Sequence, residues 1–283
     1  MRQLTIISFF LLLTGLGCQE VISVDGGEPA TLTYSVSTSV SFEVKSGAEG
    51  SEGSEGSVPG NASEINVLWY GVYHKKADGT YKYMSDMSAF VEVADPNSIQ
   101  VPITLINGQE YELVFVAQHR ILADDDEHTY MYTISDDAVM SRNPSAEVTS
   151  GEQLDVFVFV DRVGPIVGSF TKSITLERPV AQINVGTSVA TLPNDLDISF
   201  ENVPENYDIR TRTFSGTLSQ SFDNLPISGE PIKVDNIDYT SLTTLYILGG
   251  NRVNMTISCD SNQKTITNIA TAPNFKTNIV GSI

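Results

Sequence analysis

Along most of this chain apolar and polar residues alternate with a period of two, in short runs separated by turn residues. Leu32, Tyr34 and Val36 alternate with Thr31, Thr33 and Ser35, and the beat resumes at Val40, Phe42 and Val44. A period of two sends successive side chains to opposite faces of an extended strand, so this stretch predicts a half-buried first strand or strand pair. Three later runs, INVLWYGVY at 65–73, YELVFVAQ at 111–118 and VFVFV at 156–160, carry large residues on both faces. They predict central strands covered on both sides and the core of a first domain. Helical periodicity is nearly absent beyond the N-terminal leader. Short strands recurring between turn clusters predict an all-β sandwich architecture.

Turn residues divide these runs. Asp78-Gly79 and Asn107-Gly108 predict two hairpin turns, in which Gly supplies the positive φ. The acidic Gly/Ser tract AEGSEGSEGSVPGNAS, 48–63, can bury nothing and predicts a disordered loop over 46–62 that isolates the first strand. Gly164-Pro165 and Gly168 mark a seam. SITLERPVAQINVGT (173–187) then reads as the opening strand of a second domain, with Pro179 at a bulge or an edge because it cannot donate to a ladder. Further strands are expected at 196–200, 241–248, 252–259, 263–270 and 276–282, with Gly249-Gly250-Asn251 as the hairpin between two of them. The final NFKTNIVGSI still reads as strand, an end able to pair with another chain. The expected organisation is a leader over 1–17, a tether over 18–28, an N-terminal β-sandwich over 29–170 and a C-terminal one over 171–283. Each sandwich is long enough to bury a core of its own.

The leader, MRQLTIISFFLLLTGLGC, reads as a bacterial lipoprotein signal. Arg2 precedes an apolar run from Leu4 to Leu13, and small Gly15 and Gly17 lead into Cys18, the residue that would be acylated. Such a run is too short to span a bilayer. Gly15 stands where Leu or Val is commoner, so a plain secretory signal is a second reading and a retained anchor helix a third. All three place the mature chain outside the cytoplasm, and lipidation at Cys18 is preferred.

Charge and cysteine content narrow the partners. Sixteen basic residues against 35 acidic ones, a formal charge of −19, argue against nucleic acid and against adsorption to anionic membranes. Membrane attachment would rest on the lipid of Cys18. The only other cysteine, Cys259, then has no partner for an intramolecular disulfide. It ends the alternation Val253, Met255, Ile257 and is expected to be a buried small hydrophobe.

Candidate chemistry is sparse. His74, His119 and His128 occur without an HExxH, a GxSxG elbow, a P-loop or a Rossmann glycine pattern, so neither an enzymatic activity nor a cofactor is expected. The densest charged cluster is Asp124-Asp125-Asp126-Glu127-His128. A calcium loop needs spaced carboxylates and a turn glycine, so Asp124, Asp125 and Asp126 are weak metal candidates in what reads as a solvated, self-repelling loop. Among the aromatic residues Trp69 is expected in the core, and Tyr81 and Tyr83, just after a hairpin turn, are expected to be an exposed pair.

NVLWYGVYHKKADGTYKY (66–83) followed by LINGQEYELVFVAQ (105–118) resembles the first domain of the Bacteroidales fimbrillin-like surface proteins. TLERPVAQINVGT (175–187), FENVPENYDI (200–209) and IATAPNFKTNIVGSI (269–283) are similar to these proteins in the same order. The resemblance covers most of the chain in loose structural phrases, none of them a catalytic signature. It implies an outer-membrane lipoprotein exposed at the cell surface and built of two transthyretin-like Greek-key β-sandwiches. It also implies kinship with subunits of type V pili, in which a trypsin-like protease removes the first strand of a stalk precursor and a neighbouring subunit's strand fills the groove. No arginine lies between Arg2 and Arg120, so Lys45 is the only basic candidate for cleavage near the Gly/Ser tract. The expected role is therefore a non-enzymatic anchor, cap or accessory subunit in pilus assembly or adhesion, with other fimbrial subunits or surface ligands as partners. The alternative is a glycan-binding surface lipoprotein of a nutrient-import system.

Overall fold

The computed structural model of the chain describes residues 27–39, 43–44, 62–122, 128–234 and 237–282. The architecture is all β, in stacked sheets, with two short 3-10 turns, Ser85–Met87 and Gly151–Leu154, among the described residues. The first strand, Pro29–Thr38, is the middle strand of a three-stranded sheet, flanked by Ile99–Ile106 and Phe170–Leu176. That sheet faces a second one in which Val67–Lys75 and Tyr111–Gln118 are central, with Val156–Val163 on one side and the short Tyr81–Tyr83 and Ala89–Glu92 on the other.

The second sheet is covered on both faces, as its continuous apolar runs require. Leu68, Val72, Leu113, Phe115 and Phe157 pack with Leu32, Tyr34, Val101 and Ile103 in one buried cluster. Trp69, Tyr73, Val114, Val116 and Val156 belong to another, together with Tyr132, Met140 and Tyr207. The layer on this far face is a four-stranded sheet, Tyr132–Ile134, Val139–Arg142, Asn206–Asp208 and Thr213–Ser215, so strands from both halves of the chain build it. Arg210 reinforces the joint: its Nε donates to Glu112, a fully buried carboxylate that also accepts from Arg162 Nε at 2.7 Å. Pro102 is accommodated because Ile99–Ile106 is an edge strand, where one missing donor breaks no second ladder.

Arg120–Ile121 and Thr129–Tyr130 pair as a separate two-stranded ribbon, and the other strands form a second sandwich. One sheet orders Pro231–Val234, Ile237–Leu248, Val180–Thr187, Phe275–Gly281 and Glu43–Val44; the other orders Leu218–Phe222, Asp197–Val203, Arg252–Cys259 and Asn262–Ala270. Val185, Leu242 and Leu245 meet Ile198, Phe200, Met255 and Ile257 within the larger cluster, and Cys259 is buried as its alternation predicts.

Three local expectations need correction. The stretch 173–187 is two strands, Phe170–Leu176 in the first sheet and Val180–Thr187 in the second sandwich, with Arg178 and Pro179 between them rather than at a bulge or an edge of one strand. Gly249-Gly250-Asn251 is not a hairpin, because Ile237–Leu248 and Arg252–Cys259 lie in opposite sheets. Asn107-Gly108 likewise turns the chain, with Gly108 at φ +82°, but carries it from the first sheet to the second. Turn chemistry sets the local bend, and the burial of both flanking strands decides which sheet each joins. Asp78-Gly79 does close a hairpin, between Val67–Lys75 and Tyr81–Tyr83.

Gly71 shows how tightly the central strand is filled. A Cβ there would meet the Trp69 ring at 2.3 Å, so the indole lies over the bare backbone of Gly71. Gly71→Ala is expected to displace the indole and destabilise the protein by about 1–3 kcal/mol, the usual cost of overpacking. Denaturant unfolding followed by the emission of Trp69, the only tryptophan, checks it. An unchanged midpoint and spectrum would contradict this packing.

Candidate functional site

The first strand is the candidate functional element, because one sheet exists only through it. It runs antiparallel to Ile99–Ile106, with Leu32 opposite Ile103, and parallel to Phe170–Leu176, with Leu32 opposite Phe170. Among the described strands, neither flanking strand pairs with any other. Ala30, Leu32, Tyr34 and Val36 point into the first sandwich and are buried, as alternation predicts.

Polar groups fix its register. Tyr34 Oη donates to Asp161 Oδ2 at 2.9 Å, and Lys172 Nζ donates to both Asp161 oxygens at 2.7 and 2.8 Å. Burial, and then the charge and hydrogen bond of Asp161, push the Tyr34 phenol well above its ordinary value, so it stays a donor. Thr31 N donates to Ser169 Oγ at 3.0 Å and Thr38 N to the Pro96 carbonyl at 3.1 Å.

Where the strand ends, a buried ion pair receives it. Arg178 Nε and Nη2 grip Asp155 through contacts of 2.9, 3.1 and 3.0 Å, and Nη1 donates to the Ser39 carbonyl at 3.0 Å. The two side chains are 0% and 1% exposed, and the guanidinium lies 4.4 Å from the centre of the Phe157 ring. Arg178 stands between the last strand of the first sandwich and the first strand of the second, so one guanidinium joins both to the exit of the first strand.

A second buried row continues from it. Gln182 sits opposite Tyr246 on one side and Lys276 on the other, and Tyr246 Oη donates to Glu152 Oε2 at 2.9 Å. Burial pushes the Glu152 carboxyl up; burial also pulls Lys276, 5% exposed, down from 10.5 to about 8 against the opposing charge of Glu152. Between these two pH values the unfolded chain binds more protons at this lysine than the folded one. Stability from this group is therefore reduced below pH 8 and recovered as pH rises to 10.5. Lys276→Met is expected to raise the melting temperature at pH 7 by about 2–4 °C, with the gap to the parent closing between pH 8 and 10.5. Thermal melts of both proteins across that range check it. A gap that stays constant with pH would overturn the assignment.

The N-terminal segment also reaches the second sandwich, where Glu43 and Val44 pair in parallel with Phe275 and Lys276. Cys18, Lys45, residues 46–61 of the Gly/Ser tract and Asp124, Asp125 and Asp126 lie outside the described residues. The histidines are used separately: His74 Nε2 meets Gln109 Oε1 at 3.0 Å, and His119 Nδ1 meets the Glu64 carbonyl at 2.7 Å. Among the described residues, no group of three or more His, Cys, Asp or Glu is placed to hold a metal, and no helix is long and apolar enough to cross a membrane.

Tyr81 and Tyr83 are half-buried, not an exposed pair. Their short strand folds back on Val67–Lys75, which sets Tyr83 5.3 Å from Tyr73 and Tyr81 under the Arg210 guanidinium. The exposed large aromatic in this region is Phe90, at 49%. Sequence reading also missed Arg178 and Asp155, which lie 23 positions apart, Asp155 just before Val156–Val163 and Arg178 between Phe170–Leu176 and Val180–Thr187. The one local signal was a charged residue and a proline breaking an otherwise strand-like run.

The chain belongs to a family of unknown function (DUF6562), whose model matches residues 29–274. No curated protein matches it. Solved structures similar to it include the fimbrial anchor protein Mfa2 of Porphyromonas gingivalis, 14% identical over 82% of this chain and 78% of that one, TM-score 0.43. A candidate adhesin of Bacteroides ovatus is 11% identical over 90% and 88%, TM-score 0.47. A fimbrial assembly protein of Parabacteroides distasonis is 10% identical over 91% and 92%, TM-score 0.41.

Proposed function

We propose that this protein is a non-enzymatic cell-surface lipoprotein of the fimbrillin type, acting in pilus assembly or adhesion as an anchor, cap or accessory subunit rather than as stalk. The observation that supports this reading is the first strand itself. Among the described strands it alone links two edge strands, it buries its whole apolar face, and its exit is held by Arg178. Such a strand closes a groove that another chain's strand would fill by main-chain pairing and alternate side chains. A chain that keeps this strand has its own groove filled and takes no donor there, which suits an end position in an assembly. The leader and Cys18 supply the attachment, and the acidic Gly/Ser tract after the strand is where a protease would act, with Lys45 as its basic residue.

Mass spectrometry of the protein recovered from the cell surface tests the proposal. The expected species begins at an acylated Cys18 and retains residues 29–44. An N-terminus within 46–62 would mean that the strand is removed, and would replace the anchor or cap role with that of a polymerising subunit. In parallel, Cys18→Ala is expected to move most of the protein from the membrane fraction to the soluble one. Retention in the membrane would refute lipid anchoring.

A further inference from the structure

A cleft of about 480 Å³ opens beside the second sheet, within the size range of small-ligand sites. Its aromatic lining comes from Trp69, Phe90, Tyr130 and Tyr132, which lie on four separate strands. Phe90 and Tyr130 stack with ring centres 4.8 Å apart and planes at 21°, although Phe90 is 49% exposed. Trp69 is opposite Phe90 in the ladder and is seated over Gly71.

The frame is held from behind. Gln118 bonds both the backbone N–H and the carbonyl of Tyr132, at 2.8 and 3.2 Å, and Tyr132 Oη donates to the Leu154 carbonyl at 2.7 Å. Asn143 Nδ2 donates to the Tyr130 carbonyl at 2.9 Å. His128, also on the lining, has a buried Nδ1 with no hydrogen-bond partner among the described residues. A buried polar atom left unpaired is costly and calls for an explanation, which a ligand hydroxyl beside it supplies.

From this combination we infer that the cleft binds a neutral pyranose sugar. The apolar C–H face of the ring packs on an aromatic face, as one exposed ring backed by another offers, while its hydroxyls reach His128. The excess of 35 acidic over 16 basic residues disfavours anionic sugars, so neutral glycans are selected over sialylated ones. The inference rests on the surface-adhesion reading for its biological use and gives that reading a ligand class.

The sole tryptophan, 7% exposed, borders the cleft, so a ligand seated there is expected to perturb its emission. The full chain is to be screened on an array of neutral oligosaccharides and their sialylated counterparts, and each hit titrated by Trp69 fluorescence. Saturable binding of neutral glycans is expected, with Phe90→Ala weakening it about tenfold or more, a loss of about 1.4 kcal/mol. Phe90→Tyr, which keeps the ring, is expected to retain it. Phe90 is a half-exposed residue, so its truncation should leave folding intact, and the melting temperature of the variant verifies that. Absence of any neutral-glycan hit, preference for sialylated glycans, or unchanged affinity in Phe90→Ala would each overturn the inference. Adhesion of cells displaying the protein separates the two ideas. Adhesion retained without glycan binding rejects only the sugar site; glycan binding without adhesion rejects the adhesion role and keeps the site.

Discussion

A chain beginning at Ala62 is expected not to reach the native state unaided, and to recover it when a peptide of residues 27–39 is added. The truncation removes three large side chains that are almost wholly buried, Leu32, Tyr34 and Val36. At about 1.5–3 kcal/mol each this approaches the whole stability of a typical domain. It also removes the strand that, among the described residues, alone joins Ile99–Ile106 to Phe170–Leu176, which leaves their facing edges unpaired over an open groove. The expected product is soluble only with the peptide present. A micromolar dissociation constant is expected, about 8 kcal/mol of binding.

The peptide provides its own controls. Leu32→Asp in the peptide is expected to abolish rescue, because register places that residue in the core opposite Ile103. Tyr34→Phe is expected to weaken rescue without abolishing it, since Asp161 keeps Lys172 but loses the phenol. Far-UV circular dichroism and analytical size exclusion with and without peptide read the result. A truncated chain that folds alone with the melting temperature of the parent would remove the basis for treating this strand as the functional element.

The second large effect is expected at the exit of the same strand. Arg178→Met or Asp155→Leu alone is expected to cost about 3–5 kcal/mol, because each leaves the other charge buried without its partner. Arg178→Met has a further consequence, since the Ser39 carbonyl also loses its donor. The double variant is expected to be more stable than either single one, as replacing a buried pair with apolar side chains removes both desolvation costs together. Urea unfolding of the four proteins gives the coupling energy directly. Single variants that each cost under about 1 kcal/mol would show that the pair does not carry the joint between the sandwiches.

The strands of this protein were legible because most of them have one wet and one dry face. The alternation at Leu32, Tyr34 and Val36, and at Val253, Met255, Ile257 and Cys259, places each side chain correctly without reference to any other part of the chain. The doubly covered strands were legible too, since only a central strand tolerates apolar residues at every position. Pairing was not. Asn107-Gly108 and Gly249-Gly250-Asn251 have hairpin chemistry, yet each joins opposite sheets. The exposure of Tyr81 and Tyr83 was misjudged for the same reason: what covers them includes Arg210, from a segment more than a hundred residues later.

The sequence by itself therefore determined the fold class, the central strands of each half, the buried cysteine and an expectation of export with a lipid at Cys18. Those follow from periodicity, turn composition and a leader pattern, all of which act over a few neighbouring residues. Only the tertiary structure decided that the first strand lies between Ile99–Ile106 and Phe170–Leu176, that Arg178 meets Asp155 and Ser39, and that four aromatic residues from four strands share a cleft. These are contacts between residues tens to more than a hundred positions apart. Their partners are chosen by which apolar faces can be covered together, a choice that local sequence does not contain.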